Sequence, residues 1–333
     1  MGNPRTSSRA SAPRSGTLVS EPVVNDELPP PRDPVRVQVP ATSANLGPGF
    51  DSFGLALDLY DEYQFAPADE LAISVDGGGG AEMVSRDEGN LAIAAARQLC
   101  ARAGGEFAHL RLHEVLRIPI QRGLGSSAGA ICAGLVAANA QLETPATLEE
   151  LIEVAVDLEG HPDNAVPALV GGFCIVLDTG PRPEWMRIEL PEDLAIAVAV
   201  PELHIPTEAA RRMLPRRVPL ADAVFNVGRS AMLVAAIVNR DYQKLAHAME
   251  DRLHQPYRGQ LHPVMDHMIG AALATGAYGA ALSGSGSTII ALHSGADETV
   301  ELAMRAVCEA TGIPCRTHAL KPSAEGARII GES

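Results

Sequence analysis

The stretch Pro119-Ile120-Gln121-Arg122-Gly123-Leu124-Gly125-Ser126-Ser127-Ala128-Gly129 constrains this chain more than any other. It is a glycine-punctuated loop that runs into residues 126–141, a series of small and apolar side chains suited to a long helix. Glycines without a Cβ let backbone N–H groups converge on an anion, and a helix starting at the serines aims its positive dipole end at the same point. Small side chains at Ser126, Ser127, Ala128 and Gly129 leave room for a polyphosphate. A hydroxyl at such a helix start can also ligate Mg²⁺. Two familiar phosphate loops are excluded, because neither GxxxxGK[ST] nor GxGxxG is present. The lysines are Lys244 and Lys321, so a lysine-based phosphate site has almost no candidates. For the loop alone, a tight strand-to-helix turn with Ser126 as a plain N-cap is the alternative. Gly125-Ser126-Ser127-Ala128-Gly129 also matches G-x-S-x-G, with Ser127 as nucleophile and Asp163 or Asp178 and His262 or His293 as partners. That elbow needs a strand running straight into the serine, whereas Pro119 closes the strand here and residues 123–125 read as loop.

The rest of the chain mixes strands and helices. Val35, Val37 and Val39 alternate with Arg36 and Gln38, the period of a half-buried strand, and Pro40 closes it. Further strands are expected at 53–65, 71–75, 109–116 and 172–177. Helices are expected at 91–102, capped by Asn90, and at 148–158, capped by Thr147. The second half reads as strands at 194–200 and 315–320 and two short strands flanking a glycine-serine turn at 283–287. Its helices are expected near 207–214, 219–239, 241–251, 262–274 and 297–310, with 231–238 as core. Without a strict βαβ alternation the fold class is α+β. The Pro-rich link 179–183 is the expected boundary between a first domain, 34–180, and a second, 181–333. Residues 1–33 carry too few large apolar side chains to offset their ordering entropy, so they read as a disordered tail.

A net charge of −15 argues against general nucleic-acid binding, which requires a basic face, and leaves room for a local Arg-built basic pocket. No apolar run reaches the length of a membrane span and no signal-peptide core follows the N-terminus, so the expected location is cytoplasmic, with no membrane partner. Cys100, Cys132, Cys174, Cys308 and Cys315 form no CxxC pair and read as buried free thiols. His254, His262 and His267 lack any metal-ligand spacing and read as structural.

Pro40-Ala41-Thr42-Ser43-Ala44-Asn45-Leu46-Gly47-Pro48-Gly49-Phe50-Asp51, the loop at 119–129 and Gly279-Ala280-Ala281-Leu282-Ser283-Gly284-Ser285-Gly286-Ser287 follow one another in a telling order. With that order and spacing the chain, from about Val35 to Leu320, resembles the GHMP kinases. Within that superfamily four further features resemble the homoserine kinases. They are the SANLGPGFD form of the first motif, Glu159-Gly160-His161-Pro162-Asp163-Asn164 ahead of Gly171-Gly172, Thr207…Arg211…Leu214-Pro215, and Asp251-Arg252…Pro256…Arg258.

The resemblance implies a two-domain α+β GHMP kinase fold with the active site in the interdomain cleft. It implies transfer of the ATP γ-phosphate to the hydroxyl of L-homoserine, a step toward threonine, and a homodimer. ATP falls to residues 119–129, with Asn90 near the adenine and Ser283, Gly284, Ser285 and Gly286 against the phosphate loop. Mg²⁺ falls to Ser127 and Glu159, Glu153 being the ungapped alternative. Arg211 and Arg258 fall to the substrate carboxylate and Asp51 to its ammonium, with Asn45 and His161 nearby. Those charge types are what a zwitterionic amino acid demands. Asp163 and Asn164 fall at the reacting centre, and the identity of a base stays open. Mevalonate and shikimate, substrates of rival kinases, offer no ammonium for Asp51. A metabolite sensor without turnover is the rival of another class, and the intact Ser127, Glu159 and glycines weigh against it.

Overall fold

Two antiparallel strands, β1 (Val35–Ala44) and the 15-residue β2 (Phe53–Pro67), organise the first half of the chain. This computed structural model describes residues 34–78, 80–105, 110–180, 182–295 and 298–331. The expected tail at 1–33 and the expected strand start at His109 lie outside the described residues. After β2 come β3 (Ala72–Gly77), α1 (Leu91–Arg102), β4 (Leu110–Leu116), α2 (Ser126–Asn139) and α3 (Leu148–Glu159). Next are α4 (Pro162–Val170), β5 (Phe173–Leu177), β6 (Glu184–Ile188), β7 (Ala195–Pro201), α5 (Thr207–Arg212) and α6 (Leu220–Val238). Two short helices, α7 (Leu245–Ala248) and α8 (Gln255–Arg258), precede α9 (Met265–Ala274). The chain finishes with β8 (Gly279–Leu282), β9 (Ile289–His293), α10 (Thr299–Ala310), β10 (Cys315–Leu320) and β11 (Arg328–Ile330).

The strands form two sheets. The first runs β11-β1-β2-β4-β3, and the start of β2 also pairs with β5, which pairs with β6. The second runs β10-β7-β9-β8. Within the expected link, the described residues 179, 180, 182 and 183 therefore lie in the β5–β6 hairpin of the first sheet, and the crossover to the second sheet falls between Ile188 and Ala195. The expected boundary was misplaced because a Pro-rich turn punctuates a hairpin as well as it punctuates a domain. The chain also returns at its end, where β11 pairs with β1.

Local chemistry explains the helices around the site. The Thr147 side chain accepts from the N–H of Glu150, whose carboxylate reaches back to the Thr147 N–H, a capping box that starts α3. Helix α2 is apolar on every side and accordingly buries Ala128, Ile131, Cys132, Leu135 and Ala138. One apolar cluster packs α1 to α4 on the first sheet, and another packs α9 and α10 on the second. A third joins the halves, bringing Leu55, Leu57 and Leu124 against Ile196, Val198 and Ile290. The seam beneath the cleft is thus continuous core.

Helix α6 departs from expectation. Residues 231–238 read as core, yet only Leu233, Ala236 and Ile237 of that span are buried, while Met232 and Val238 are exposed. Over 19 residues its mean hydropathy is 1.5, so by length and composition it could cross a membrane. Asp222, Asn226 and Arg229 interrupt it, which is why no spanning run stood out in the sequence.

Candidate active site

The phosphate loop is held open by its backbone. Gln121, Gly123 and Gly125 have φ of +53°, +82° and +70°. At Gly125 a Cβ would lie 1.9 Å from Thr42 Oγ1, and at Gly123 it would lie 2.2 Å from Ser283 O. The glycine-serine turn between β8 and β9 packs directly on this loop. Ser283 Oγ donates to Gly123 O at 2.6 Å and the Thr288 N–H donates to Arg122 O at 3.0 Å. From below, the Thr42 N–H donates to Leu124 O at 3.0 Å, so both halves of the molecule clamp the loop. Leu124, Ala128 and Gly129 are core, and the Arg122 guanidinium turns back onto Gln121 O, toward a surface cavity lined by His204 and Arg316.

Beside the loop a cavity of about 100 Å³ opens between the halves. Asn45, Asp51, Ser127, Glu159, His161 and Asp163 line it from the first half, and Thr207, Arg211, Arg258, Gly284 and Ser285 from the second. The expected site residues thus converge, but their partners are informative. Arg211 donates both Nη1 and Nη2 to Asp51, at 3.0 and 2.8 Å. The two groups expected at opposite ends of a substrate are therefore bonded to each other. Arg258 is 3% exposed and makes no ion pair among the described residues. Its Nη1 donates to Gly284 O at 2.8 Å while its Nε has no partner. Burial and the neighbouring Arg211 pull its pKa down to about 10. Asn45 Nδ2 donates to the same Gly284 carbonyl at 3.1 Å, and Asn45 Oδ1 accepts from the Asp51 N–H.

On the other wall, Ser127 Oγ donates to Glu159 Oε2 at 2.7 Å. Burial raises the Glu159 pKa against the opposing pull of His161 and of the Ser127 hydrogen bond, so a cation at this carboxylate would relieve the cost of burying its charge. Two oxygen donors suit Mg²⁺, which takes one or two protein ligands and completes its shell with phosphate and water. Glu153 lies elsewhere, bonded to Arg102 and Arg182 on the outer face of α3. His161 Nδ1 meets Asp163 Oδ1 at 2.8 Å and its Nε2 lies 3.8 Å from Glu159 Oε1. Burial opposes the imidazolium, but the Asp163 bond and the two carboxylate charges outweigh it, and the His161 pKa rises. Asn164 Oδ1 accepts from Thr42 Oγ1 at 2.8 Å, directly under Gly125.

A second cavity, about 280 Å³, shares Gln121, Ser126 and Ser127 with the first and has Leu91, Leu116 and Ile120 in its walls. It has the size and apolar lining of a base pocket. Asn90 lines it but has no free polar atom. Its Oδ1 accepts from the N–H groups of Ala92 and Ile93 and its Nδ2 donates to Ser85 O and Glu114 Oε1. Asp61 and Glu114 on the floor of this pocket, and Thr207 at the first, were not among the expected residues.

The family model described as GHMP kinases N terminal domain matches residues 90–172, and that for GHMP kinases C terminal matches residues 233–310. A homoserine kinase of Carboxydothermus hydrogenoformans is 46% identical over 259 residues, covering 78% of this chain and 84% of that protein. The chain belongs to the homoserine kinase family. The homoserine kinase of Moorella thermoacetica is 42% identical over 88% of this chain and 99% of its own length. The crystal structure of a homoserine kinase from Cytophaga hutchinsonii superposes with a TM-score of 0.82 at 29% identity, covering 90% of this chain and 98% of that one. The fold is that of the GHMP kinases, and the chain is an ATP-dependent phosphotransferase of that family.

Proposed function

We propose that the two adjoining cavities catalyse the transfer of the γ-phosphate from ATP to the hydroxyl of L-homoserine, giving ADP and O-phospho-L-homoserine. The observation that carries the substrate assignment is Arg258, a buried guanidinium without an ion pair among the described residues, beside an Asp51–Arg211 pair. A buried guanidinium with no direct carboxylate contact is costly even with Asp51, Asp163 and Asp251 nearby, so the site is poised for an anion. A zwitterionic amino acid answers this arrangement, its carboxylate between Arg211 and Arg258 and its ammonium on Asp51. The base and ribose of ATP occupy the second cavity and the phosphates lie over residues 121–127, at the start of α2.

Ser127 and Glu159 hold Mg²⁺, which neutralises phosphate charge when bound. The chain's own residues position and neutralise. N–H groups at the start of α2 cradle the phosphates, Asn164 and Thr42 support Gly125 beneath them, and Asp163 holds His161 through Nδ1 and raises its pKa beside the reacting centre. With Asp163 tied to His161, the hydroxyl proton passes to the phosphate itself, which a loose transition state tolerates. An ADP-release assay with Mg·ATP tests the reading. Turnover with L-homoserine but not with mevalonate or shikimate is expected, and turnover with another alcohol alone would refute it.

The working unit is a homodimer seated on α6. Leu220, Val224, Val227, Ala231, Ala235 and Val238 recur every three or four residues and form an exposed, uncharged stripe along that helix. Small residues such as Ala231 and Ala235 let a second α6 approach closely. The same reading puts the enzyme in the cytoplasm, beside its ATP.

A further inference from the structure

Arg258 does not hold its place alone. His254, the residue that caps the start of α8, precedes it by four positions and meets it side chain to side chain, and His254 has no exposed surface at all. His254 Nε2 lies 2.7 Å from Gly47 O, on the loop that leads to Asp51. A carbonyl only accepts, so Nε2 carries the proton. Its Nδ1 lies 3.3 Å from Arg258 Nη1, which only donates, so Nδ1 is the bare lone pair. Both contacts demand the same neutral tautomer.

The surroundings hold that ring in register. Asp251 Oδ2 accepts from the N–H groups of His254 and Gln255, at 2.9 and 2.7 Å. The Phe50 ring stacks on the imidazole with centroids 5.4 Å apart. Arg211 and Arg258 both lie over that Phe50 ring, at 5.8 and 5.3 Å. Gly47 has φ of +85°, and a Cβ there would lie 2.1 Å from Met249 O, so only glycine lets the loop come this close.

We propose that His254 is a positioning residue for substrate recognition: its neutral imidazole ties the Arg258 guanidinium in the second half to the Asp51 loop in the first. The inference rests on the reading of Arg258 as the grip for the substrate carboxylate. The charged groups facing His254 are Asp251, Arg258 and Asp51. Burial, aided by Arg258, outweighs the Asp251 and Asp51 charges and keeps its pKa below the ordinary histidine value. A proton added to Nδ1 would set an N–H against the Arg258 N–H and break the tie.

Two substitutions separate the halves of this tie, because glutamine places its amide N–H near the Nε2 position and asparagine places its carbonyl near Nδ1. His254→Gln keeps the donor to Gly47 and loses the acceptor for Arg258. The KM for L-homoserine should then rise by about tenfold or more, while kcat and the KM for ATP stay within about threefold. His254→Asn keeps the acceptor and should recover most of the loss. In the unsubstituted enzyme the homoserine KM should rise at a pH below the ordinary histidine range, and in His254→Gln that rise should be smaller. Arg258→Ala is the reference. If it leaves the homoserine KM unchanged, the carboxylate reading itself fails. If it raises KM but the two His254 variants leave KM unchanged, or lower kcat and both affinities alike, His254 is packing only and the inference is overturned. Nitrogen NMR of the labelled wild-type imidazole decides the matter even if a variant fails to fold. A proton on Nε2 alone at pH 7 is expected, and a doubly protonated ring or the Nδ1 tautomer refutes the inference.

Discussion

Gly123→Ala should loosen both halves of the phosphate site at once. The methyl would sit 2.2 Å from Ser283 O, 3.0 Å from Gly286 N and 3.1 Å from Gly286 O, all of it backbone. To restore ordinary contact the glycine-serine turn must retreat by about an ångström or more. That retreat breaks the bond from Ser283 Oγ to Gly123 O and the bond from the Thr288 N–H to Arg122 O. Two buried hydrogen bonds left unmade cost about 1–3 kcal/mol each. The φ of +82° adds about 1 kcal/mol for any residue with a Cβ. The total, about 3–7 kcal/mol, is a large share of the roughly 5–15 kcal/mol that holds a domain together. Gly312→Ala is the control, because Gly312 has φ of +71° but nothing within 4 Å of the added methyl. It should lose only the backbone part, about 1 kcal/mol. Urea unfolding of the two variants, with the KM for ATP measured alongside, isolates the close approach. Equal losses in the two variants, with an unchanged ATP KM for Gly123→Ala, would refute the clamped-loop account.

Glu159→Gln should lower kcat by about 100-fold or more and raise the Mg²⁺ needed for half-activity, whereas Glu153→Gln should leave both nearly unchanged; titrating Mg²⁺ in the kinase assay reads both. Asp61 is buried and its pKa is lifted from 3.8 to about 7, chiefly by desolvation. Its folded value lies above the unfolded one, so stability should fall as pH rises from 3.8 to about 7 and level off beyond. Asp61→Asn still accepts from the N–H groups of Arg117 and Ile118, and should flatten that slope by up to about 4 kcal/mol in denaturant titrations from pH 4 to 8. Val227→Asp puts a charge in the middle of the exposed α6 stripe and should convert a dimer to monomers in sedimentation velocity; an unchanged assembly would move the interface elsewhere.

The parts of the site that local chemistry builds were legible in the sequence. The glycines at 123 and 125 announce the loop, Asn90 and Thr147 cap their helices as read, and α1 spans the expected 91–102. What pairs over long distances was not. The three-residue β11 carries no periodicity and exists because β1 offers it an edge. The Asp51–Arg211 pair joins residues 160 positions apart, and charge type alone assigned them to a ligand rather than to each other. Glu114 did leave a signal that went unread. In β4 it follows Leu110 and Leu112 at the period of two and precedes Leu116, so alternation alone puts its carboxylate on the buried face. Helix α6 misled because it has two apolar faces, one on the core and one exposed, and composition does not tell them apart.

The central claim is that Asp51, Arg211 and Arg258 read the two charges of an amino acid. The most direct test is kcat/KM for L-homoserine, for 4-hydroxybutyrate, which lacks the ammonium, and for 3-aminopropan-1-ol, which lacks the carboxylate, in the unsubstituted enzyme and in Arg258→Ala and Asp51→Asn. The account predicts that Arg258→Ala loses most of the preference for homoserine over the aminoalcohol and keeps its preference over the hydroxyacid. Asp51→Asn should do the reverse. Loss of activity in both variants with neither preference changed would contradict the claim, and would make these residues part of the scaffold rather than readers of the substrate.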